Sequence, residues 1–213
     1  MKKGIIFDLD GTLWDACEKI AQSWNICVKE RMPDLDLELT EEDLRGACGL
    51  TMTAIGNKLF PMVKEPERGE LTAACCDFEV EYLKTNGGQV YEGLEQTLKE
   101  LKKDYGLYIV SNCQDGYIEC FLEWSGLVRY FEDTECFGRT GQEKDRNIVL
   151  LKERNGLDRA IYVGDTATDQ ASAIAAGLPF VHAAYGFGTA SGADAVIGDI
   201  SQLPSAAAKL LAD

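Results

Sequence analysis

The sequence predicts an α/β fold: a parallel β-sheet flanked by helices, with a helical segment inserted near the N-terminus. Short apolar runs rich in β-branched and aromatic residues alternate with amphipathic helical patterns after residue 86. One such run, 4–7, stands apart at the N-terminus, and no confident strand pattern occurs between about 16 and 84. This alternation is typical of parallel sheets, because their crossover connections place helices over both faces.

Each element follows from a local pattern. Leucines at i, i+4 and i+7 indicate the helix over 92–104. Thr40 followed by Asp43 is a near-match to a capping box, which predicts that a second helix begins at 41. Strands are predicted at 4–7, 107–110, 136–137, 160–163, 179–182 and 195–197. Helices are predicted at 15–25, from 41 onward, 67–84, 92–104, 115–124, 144–155, 168–176 and 201–211.

The turn sequence Asn-Gly-Gly-Gln at 86–89 marks the return from the helical segment to the alternating pattern. We therefore predict two domains. The α/β core comprises 1–14 and 86–213, and a helical domain comprises 15–85.

The composition limits the classes of partner. Lys and Arg number 21 against 36 Asp and Glu, a net charge of −15. This acidity opposes binding to nucleic acid or to an anionic membrane, since both require a basic surface. An anionic substrate would therefore need a local cationic site.

Neither a signal peptide nor a membrane span is expected, because no apolar stretch is long enough. No two of the eight cysteines are spaced as C-x-x-C, and the chain has one histidine. Both observations argue against a zinc site. Reduced thiols and a cytoplasmic location are expected.

The strand at 4–7 ends in a pair of acids. Asp8 and Asp10 lie two residues apart, which places both side chains on one face of an extended chain. Two such carboxylates repel each other, and a hard cation such as Mg2+ would stabilise them. Gly11 permits a sharp turn, and Thr12 offers a hydroxyl and an N–H to an anion. The alternative is an ordinary Asx-rich turn.

Three further segments carry candidate site residues. Ser111 and Asn112 follow a strand and could bind a phosphoryl oxygen, although the local sequence alone favours a helix cap. Lys144 begins a helix, where a lone lysine is usually a surface charge. Asp165 and Asp169 follow another strand and could face one site. Helix capping is the alternative explanation, but a cap requires only one such residue.

In order and context, these segments resemble the haloacid dehalogenase-like (HAD) phosphohydrolase superfamily. The matching pattern is D-x-D-G-T, then a strand with Ser, then Lys, then G-D-x-x-x-D, and the inserted segment is similar to a type-1 helical cap. Lys144 is followed by Asp145, where relatives commonly have proline. The segment 183–188 resembles the aromatic-glycine loop of phosphoglycolate-phosphatase-like members.

The resemblance implies a Rossmann-like core and a Mg2+-dependent phosphatase that forms an aspartyl-phosphate. Asp8 would be the nucleophile, Asp10 the general acid and base, and Lys144 the group that neutralises charge. Thr12, Ser111 and Asn112 would bind phosphate. The predicted metal-binding residues are Asp8, Asp10 (through its backbone carbonyl), Asp165 and Asp169, with Asp169 acting through water or by orienting Lys144.

Alternatives remain open at this point. A sugar phosphomutase similar to β-phosphoglucomutase would have the same residues, whereas a non-catalytic binding protein would have lost Asp8 or Asp165. The expected partner is a small phosphorylated metabolite, and the expected state is a monomer or homodimer. A specificity loop could lie at 46–56, with four polar residues around it: Arg45, Thr51, Thr53 and Lys58.

Overall fold

The computed structural model describes residues 1–212. Its strands alternate with helices along most of the chain, as the apolar runs predict. The strands are β1 (Lys3–Phe7), β2 (Trp14–Asp15), β3 (Gln89–Val90), β4 (Gly106–Ser111), β5 (Asp133–Cys136), β6 (Arg159–Gly164), β7 (Phe180–Ala183) and β8 (Ala195–Ile197).

Six of these strands form a parallel sheet in the order β5-β4-β1-β6-β7-β8. The first strand of the chain is therefore central, and Phe7 pairs with Ile109 on one side and Val163 on the other. The predicted parallel α/β fold is confirmed. Because the carboxyl ends of parallel strands share one edge, the segments after β1, β4 and β6 meet there.

The helices cover both faces of the sheet and form the inserted segment. They are α1 (Cys17–Arg31), α2 (Glu41–Arg45), α3 (Met52–Leu59), α4 (Glu67–Asn86), α5 (Leu94–Leu101), α6 (Tyr117–Ser125), α7 (Phe137–Thr140), α8 (Lys144–Arg154), α9 (Ala167–Ala175) and α10 (Leu203–Leu210). None of those described combines the length and apolar character that a membrane span requires.

The central strands are buried on both faces. Ile5 and Phe7 belong to one hydrophobic cluster, while Ile6 lies between them in sequence and joins a second cluster on the opposite face. All three side chains are fully buried. Fully burying such a side chain stabilises the fold by about 1.5–3 kcal/mol, which explains why these runs are continuously apolar.

The strand predicted at 136–137 lies earlier in the structure, at Asp133–Cys136. The strand ends at Cys136, and Phe137 begins α7. Most of β5 consists of polar residues, so it lacks the apolar pattern that identifies the central strands; Arg154 pairs with two of its carboxylates, Asp133 and Glu135. Gly138 lies close to the loop after β4, since a Cβ atom there would collide with the backbone of Gln114 and Asp115.

The inserted helices α1–α4 lie between β2 and β3, which pair antiparallel and bring the two ends of the insertion together. α1 packs along α4, and Trp24 stacks on Phe60 with ring centroids 5.7 Å apart. The eight cysteines are free within residues 1–212.

The chain leaves α4 through Gly87, whose φ of 58° and ψ of −161° lie in a region that is essentially restricted to glycine. A Cβ atom there would collide with the ring of Trp124. Gly93 also has a positive φ, 77°, but a Cβ atom there would meet nothing within 4 Å.

We expect Gly87→Ala to destabilise the fold by roughly 3 kcal/mol, because backbone strain and a collision with Trp124 act together. Gly93→Ala, the matched control, carries the left-handed strain without the collision and should lose about 1 kcal/mol. Guanidinium unfolding of both variants measures the difference. Equal losses would contradict the role assigned to the Trp124 contact.

Candidate active site

A buried lysine joins two carboxylates at the centre of the sheet edge. Asp8 directly follows β1, and its backbone N–H donates to Val163 O at 2.8 Å, which continues the sheet pairing. Lys144 begins α8, and its Nζ donates to Asp8 Oδ1 at 2.9 Å and to Asp169 Oδ1 at 2.6 Å. The lysine side chain is 1% exposed. The residue after Lys144 is Asp145, where relatives commonly have proline. Lys144 reaches the site in spite of this difference.

Asp169 is held by the start of its own helix. Thr166 precedes α9 and forms a capping box with Asp169, whose Oδ2 accepts from the Thr166 N–H and hydroxyl at 3.0 and 2.6 Å. Its other oxygen faces Lys144. Helix capping and the contact with Lys144 are therefore compatible, because each uses a different oxygen atom of Asp169.

Asp165 follows β6 and is oriented by the loop after β7. Its Oδ2 accepts from the backbone N–H groups of Phe187 and Gly188 at 2.7 and 3.2 Å. Its Oδ1 is buried and finds no hydrogen-bond partner among residues 1–212. Gly186 allows this approach, since a Cβ atom there would collide with Asp165. The aromatic-glycine loop thus orients Asp165 while leaving one of its oxygens available.

Three carboxylates could hold one metal ion. Asp8, Asp165 and Asp169 are buried, and one oxygen of each lies within 4.8 Å of the others. Oxygen ligands of this kind suit Mg2+. The unpartnered Asp165 Oδ1 supports the fit, because buried polar atoms are normally satisfied. The Asp10 carboxylate lies outside this cluster.

The electrostatics of the cluster also favour a cation. Burial and the Asp169 charge raise the pKa of Asp8, Lys144 opposes the shift, and the net result is a pKa of about 7. Burial and the Asp169 charge likewise raise the pKa of Asp165 to about 6. Burial lowers the pKa of Lys144, but Asp169 and Asp8 outweigh it and the net shift is upward. One ammonium therefore does not compensate all the carboxylates.

Asp10 has a separate set of partners. Its Oδ1 accepts from Tyr117 Oη at 2.7 Å and from Trp14 Nε1 at 3.1 Å. Burial raises the pKa of Asp10 to about 7 in spite of these bonds. Neither partner of Asp10 was predicted from the sequence. The i, i+4 spacing of Asp10 and Trp14 was a usable signal, but Tyr117 lies 107 positions away.

Two of the predicted phosphate-binding residues, Ser111 and Asn112, line a cavity together with Asp10. Thr12, Ser111 and Asn112 are all buried, and Thr12 Oγ1 and Asn112 Oδ1 lack hydrogen-bond partners within the described chain. Asn112 Nδ2 donates to Gly49 O at 2.9 Å, which links the loop after β4 to the inserted segment. The Thr12 hydroxyl can donate to a ligand, whereas Asn112 Oδ1 can only accept a hydrogen bond.

A small cavity extends from Asp10 and Ser111 toward the inserted helices. The predicted loop contributes to it through mostly apolar residues, which are Ala47, Cys48, Gly49, Leu50, Met52 and Ile55. The polar residues expected there lie outside its lining. Arg45 pairs with Asp15 at 2.6 Å, and Lys58 donates to Gly46 O.

Residues 5–183 match the haloacid dehalogenase-like hydrolase family. A plasmid phosphoglycolate phosphatase of Cupriavidus necator is 29% identical over 94% of this chain and 91% of its own. A structure of a predicted phosphoglycolate phosphatase from Haemophilus somnus has a TM-score of 0.83 at 22% identity, covering 96% and 97% of the two chains. CbbY from Rhodobacter sphaeroides, solved with xylulose-1,5-bisphosphate, has a TM-score of 0.79 at 16% identity, covering 95% and 96%.

We expect the metal-free protein to lose stability as pH rises from 3.8 to about 7, because the folded state raises the pKa of Asp8, Asp10 and Asp165 above 3.8. The folded state then binds more protons than the unfolded state, so the free energy of unfolding falls through this range. Added Mg2+ should reduce the loss, because it favours the ionised carboxylates of the folded state.

Thermal unfolding at several pH values, with EDTA or with MgCl2, measures both effects. Asp165→Asn should flatten the pH dependence and remove the Mg2+ stabilisation, whereas Asp34→Asn on the exposed surface should change neither. A Mg2+ effect of wild-type size in Asp165→Asn would contradict the assigned metal site.

Proposed function

Because the chain belongs to the haloacid dehalogenase-like hydrolase family, we propose that it is a Mg2+-dependent phosphatase of small phosphomonoesters that acts through an aspartyl-phosphate. The observation that carries the proposal is the buried contact of Lys144 with Asp8 and Asp169, beside Asp165. It supports the proposal because Asp8, an ammonium that can neutralise its charge, and acids suited to a divalent cation lie close together. The relatives named as phosphoglycolate phosphatases support a phosphomonoester as substrate.

Asp8 is assigned as the nucleophile. Lys144 holds Asp8 Oδ1, so we assign Oδ2 to the attack on phosphorus. A bond forms between Oδ2 and phosphorus while the bond from phosphorus to the leaving oxygen breaks. Lys144 reduces the repulsion between this carboxylate and the anionic phosphoryl group.

Asp10 is assigned as the general acid and base. It donates a proton to the leaving oxygen in the first step and removes a proton from water in the second, which releases phosphate and regenerates Asp8. A pKa raised to about 7 by burial allows both protonation states near neutral pH. Tyr117 and Trp14 bind Oδ1 and leave Oδ2 to face the leaving group.

Asp8, Asp165 and the backbone carbonyl of Asp10 would hold Mg2+, which when bound neutralises phosphoryl charge. Asp169 uses both oxygens for Thr166 and Lys144. Its proposed role is therefore the second of the two expected, that of orienting Lys144. Thr12, Ser111 and Asn112 would bind the remaining phosphoryl oxygens.

Residues 15–85 would form a cap that covers the site and excludes water from it. The substrate would be a small phosphorylated metabolite, and the protein would be a cytoplasmic monomer or homodimer. The net charge of −15 supports the exclusion of nucleic acid and anionic membranes as partners.

We expect phosphate release from small phosphomonoesters with Mg2+, and its loss in EDTA. Asp8→Asn should abolish release, because it removes the attacking carboxylate and keeps the side-chain shape. A phosphate-release assay on a panel of esters measures this, with Asp34→Asn as the matched surface control. Isomerisation of a sugar phosphate without net phosphate release would favour the mutase alternative. Wild-type turnover by Asp8→Asn would overturn the assigned nucleophile.

Asp10→Asn should lose about 10²–10⁴-fold in turnover of an alkyl phosphate, because the poor leaving group needs a proton. Phosphoenzyme formation from p-nitrophenyl phosphate should suffer much less, since its leaving group is a weak base. Pre-steady-state kinetics separate this burst from the slower hydrolysis. Equal loss of burst and steady-state rates on both substrates would instead assign Asp10 to the metal site or to folding.

A further inference from the structure

The cavity beside Asp10 lies where the leaving group of a bound phosphomonoester would extend. Asp10 and Ser111 line one end of it, and side chains of α1–α4 line the other. Its volume is about 50 Å³, room for roughly three to five water molecules. A leaving group of a few non-hydrogen atoms therefore fits this cavity.

One buried carboxylate faces the cavity from the inserted segment. Glu79 lies on α4 and is 4% exposed. Its Oε2 accepts from Trp24 Nε1, and its Oε1 accepts from Gln114 Nε2 at 2.9 Å. Neither donor carries a charge, and each carboxylate oxygen can accept a further hydrogen bond.

No lysine, arginine or histidine of residues 1–212 contributes to the lining of this cavity. The lining is mainly apolar and includes Ile20, Leu44, Ile55 and Tyr117. A buried anion requires a paired charge or several hydrogen-bond donors. The cavity supplies an acidic group in the place where a carboxylate-bearing substrate would need a basic one.

We propose that Glu79 selects a small leaving alcohol that carries a hydroxyl or amino donor group and no negative charge. The donor would bind a free lone pair of Glu79, while the carbon atoms contact the apolar lining. The inference rests on the proposed phosphatase function and narrows it, because it places esters of anionic alcohols such as glycolate among the poor substrates.

The environment of Glu79 is consistent with this selection. Burial raises the pKa of Glu79 to about 8, against the opposing hydrogen bonds from Gln114 and Trp24. Above about pH 8, where Glu79 is ionised, a second carboxylate beside it would add repulsion to an uncompensated site. A hydroxyl or ammonium donor instead supplies what the two neutral donors leave unsatisfied.

Three two-carbon phosphomonoesters that differ at one terminus, assayed at about pH 9 where Glu79 is ionised, test the proposal: 2-hydroxyethyl phosphate, 2-aminoethyl phosphate and phosphoglycolate. We expect kcat/KM for the hydroxyl or the amino ester to exceed that for phosphoglycolate by at least about tenfold, since like-charge contact is costly. A preference for the amino ester identifies an ammonium partner, and a preference for the hydroxyl ester identifies a neutral one. Equal or faster hydrolysis of phosphoglycolate overturns the proposal.

Glu79→Gln should reduce this preference at least several-fold, because it removes the charge and keeps the side-chain shape. Glu81→Gln is the matched control, since Glu81 lies on the same helix with its side chain 72% exposed. An unchanged preference in folded Glu79→Gln would overturn the role of Glu79, and the wild-type series tests the substrate class even where that variant fails to fold.

Acetyl phosphate, whose small acyl group is uncharged, serves as the reference. Failure to hydrolyse any ester would overturn the proposed function itself.

Discussion

The buried ammonium of Lys144 is the interaction on which the candidate active site depends. It contacts Asp8 and Asp169 at 2.9 and 2.6 Å, and both carboxylates are almost fully buried. Removing one partner of such a group would leave an uncompensated buried charge, which is strongly destabilising. Three ionised carboxylates with one ammonium leave a charge of −2, because −3 plus 1 is −2. A divalent cation would balance this remainder.

Ordinary local structure fixes the geometry of this cluster. The capping box between Thr166 and Asp169 starts α9 and simultaneously aims one Asp169 oxygen at Lys144. The loop after β7 gives two backbone N–H groups to Asp165 and leaves its other oxygen unpartnered within the described chain. Helix capping and backbone donation therefore position the carboxylates without further charged residues.

The central strands were predictable because full burial requires continuous apolar runs, and the acids at their ends were predictable as a motif. Lys144 was assigned by resemblance, since no local pattern distinguishes a buried lysine from an exposed one. Edge strand β5 was misplaced because it is mostly polar. The contacts of Tyr117 with Asp10 and of Gln114 with Glu79 join positions 107 and 35 residues apart. Such pairs depend on tertiary packing, which a single sequence does not encode in any local spacing.

The two ends of the proposed site differ in charge, and this difference gives the site a direction. Lys144 lies beside Asp8 at the phosphoryl end, outside the lining of the cavity, whereas Glu79 lies in that lining at the end formed by the inserted helices. With a net charge of −15, the protein as a whole does not attract anions, so local charges decide the orientation. A phosphomonoester with an uncharged or positive alcohol has its negative charge at one end. Such a substrate is complementary to this arrangement in one orientation, the one that presents phosphorus to Asp8.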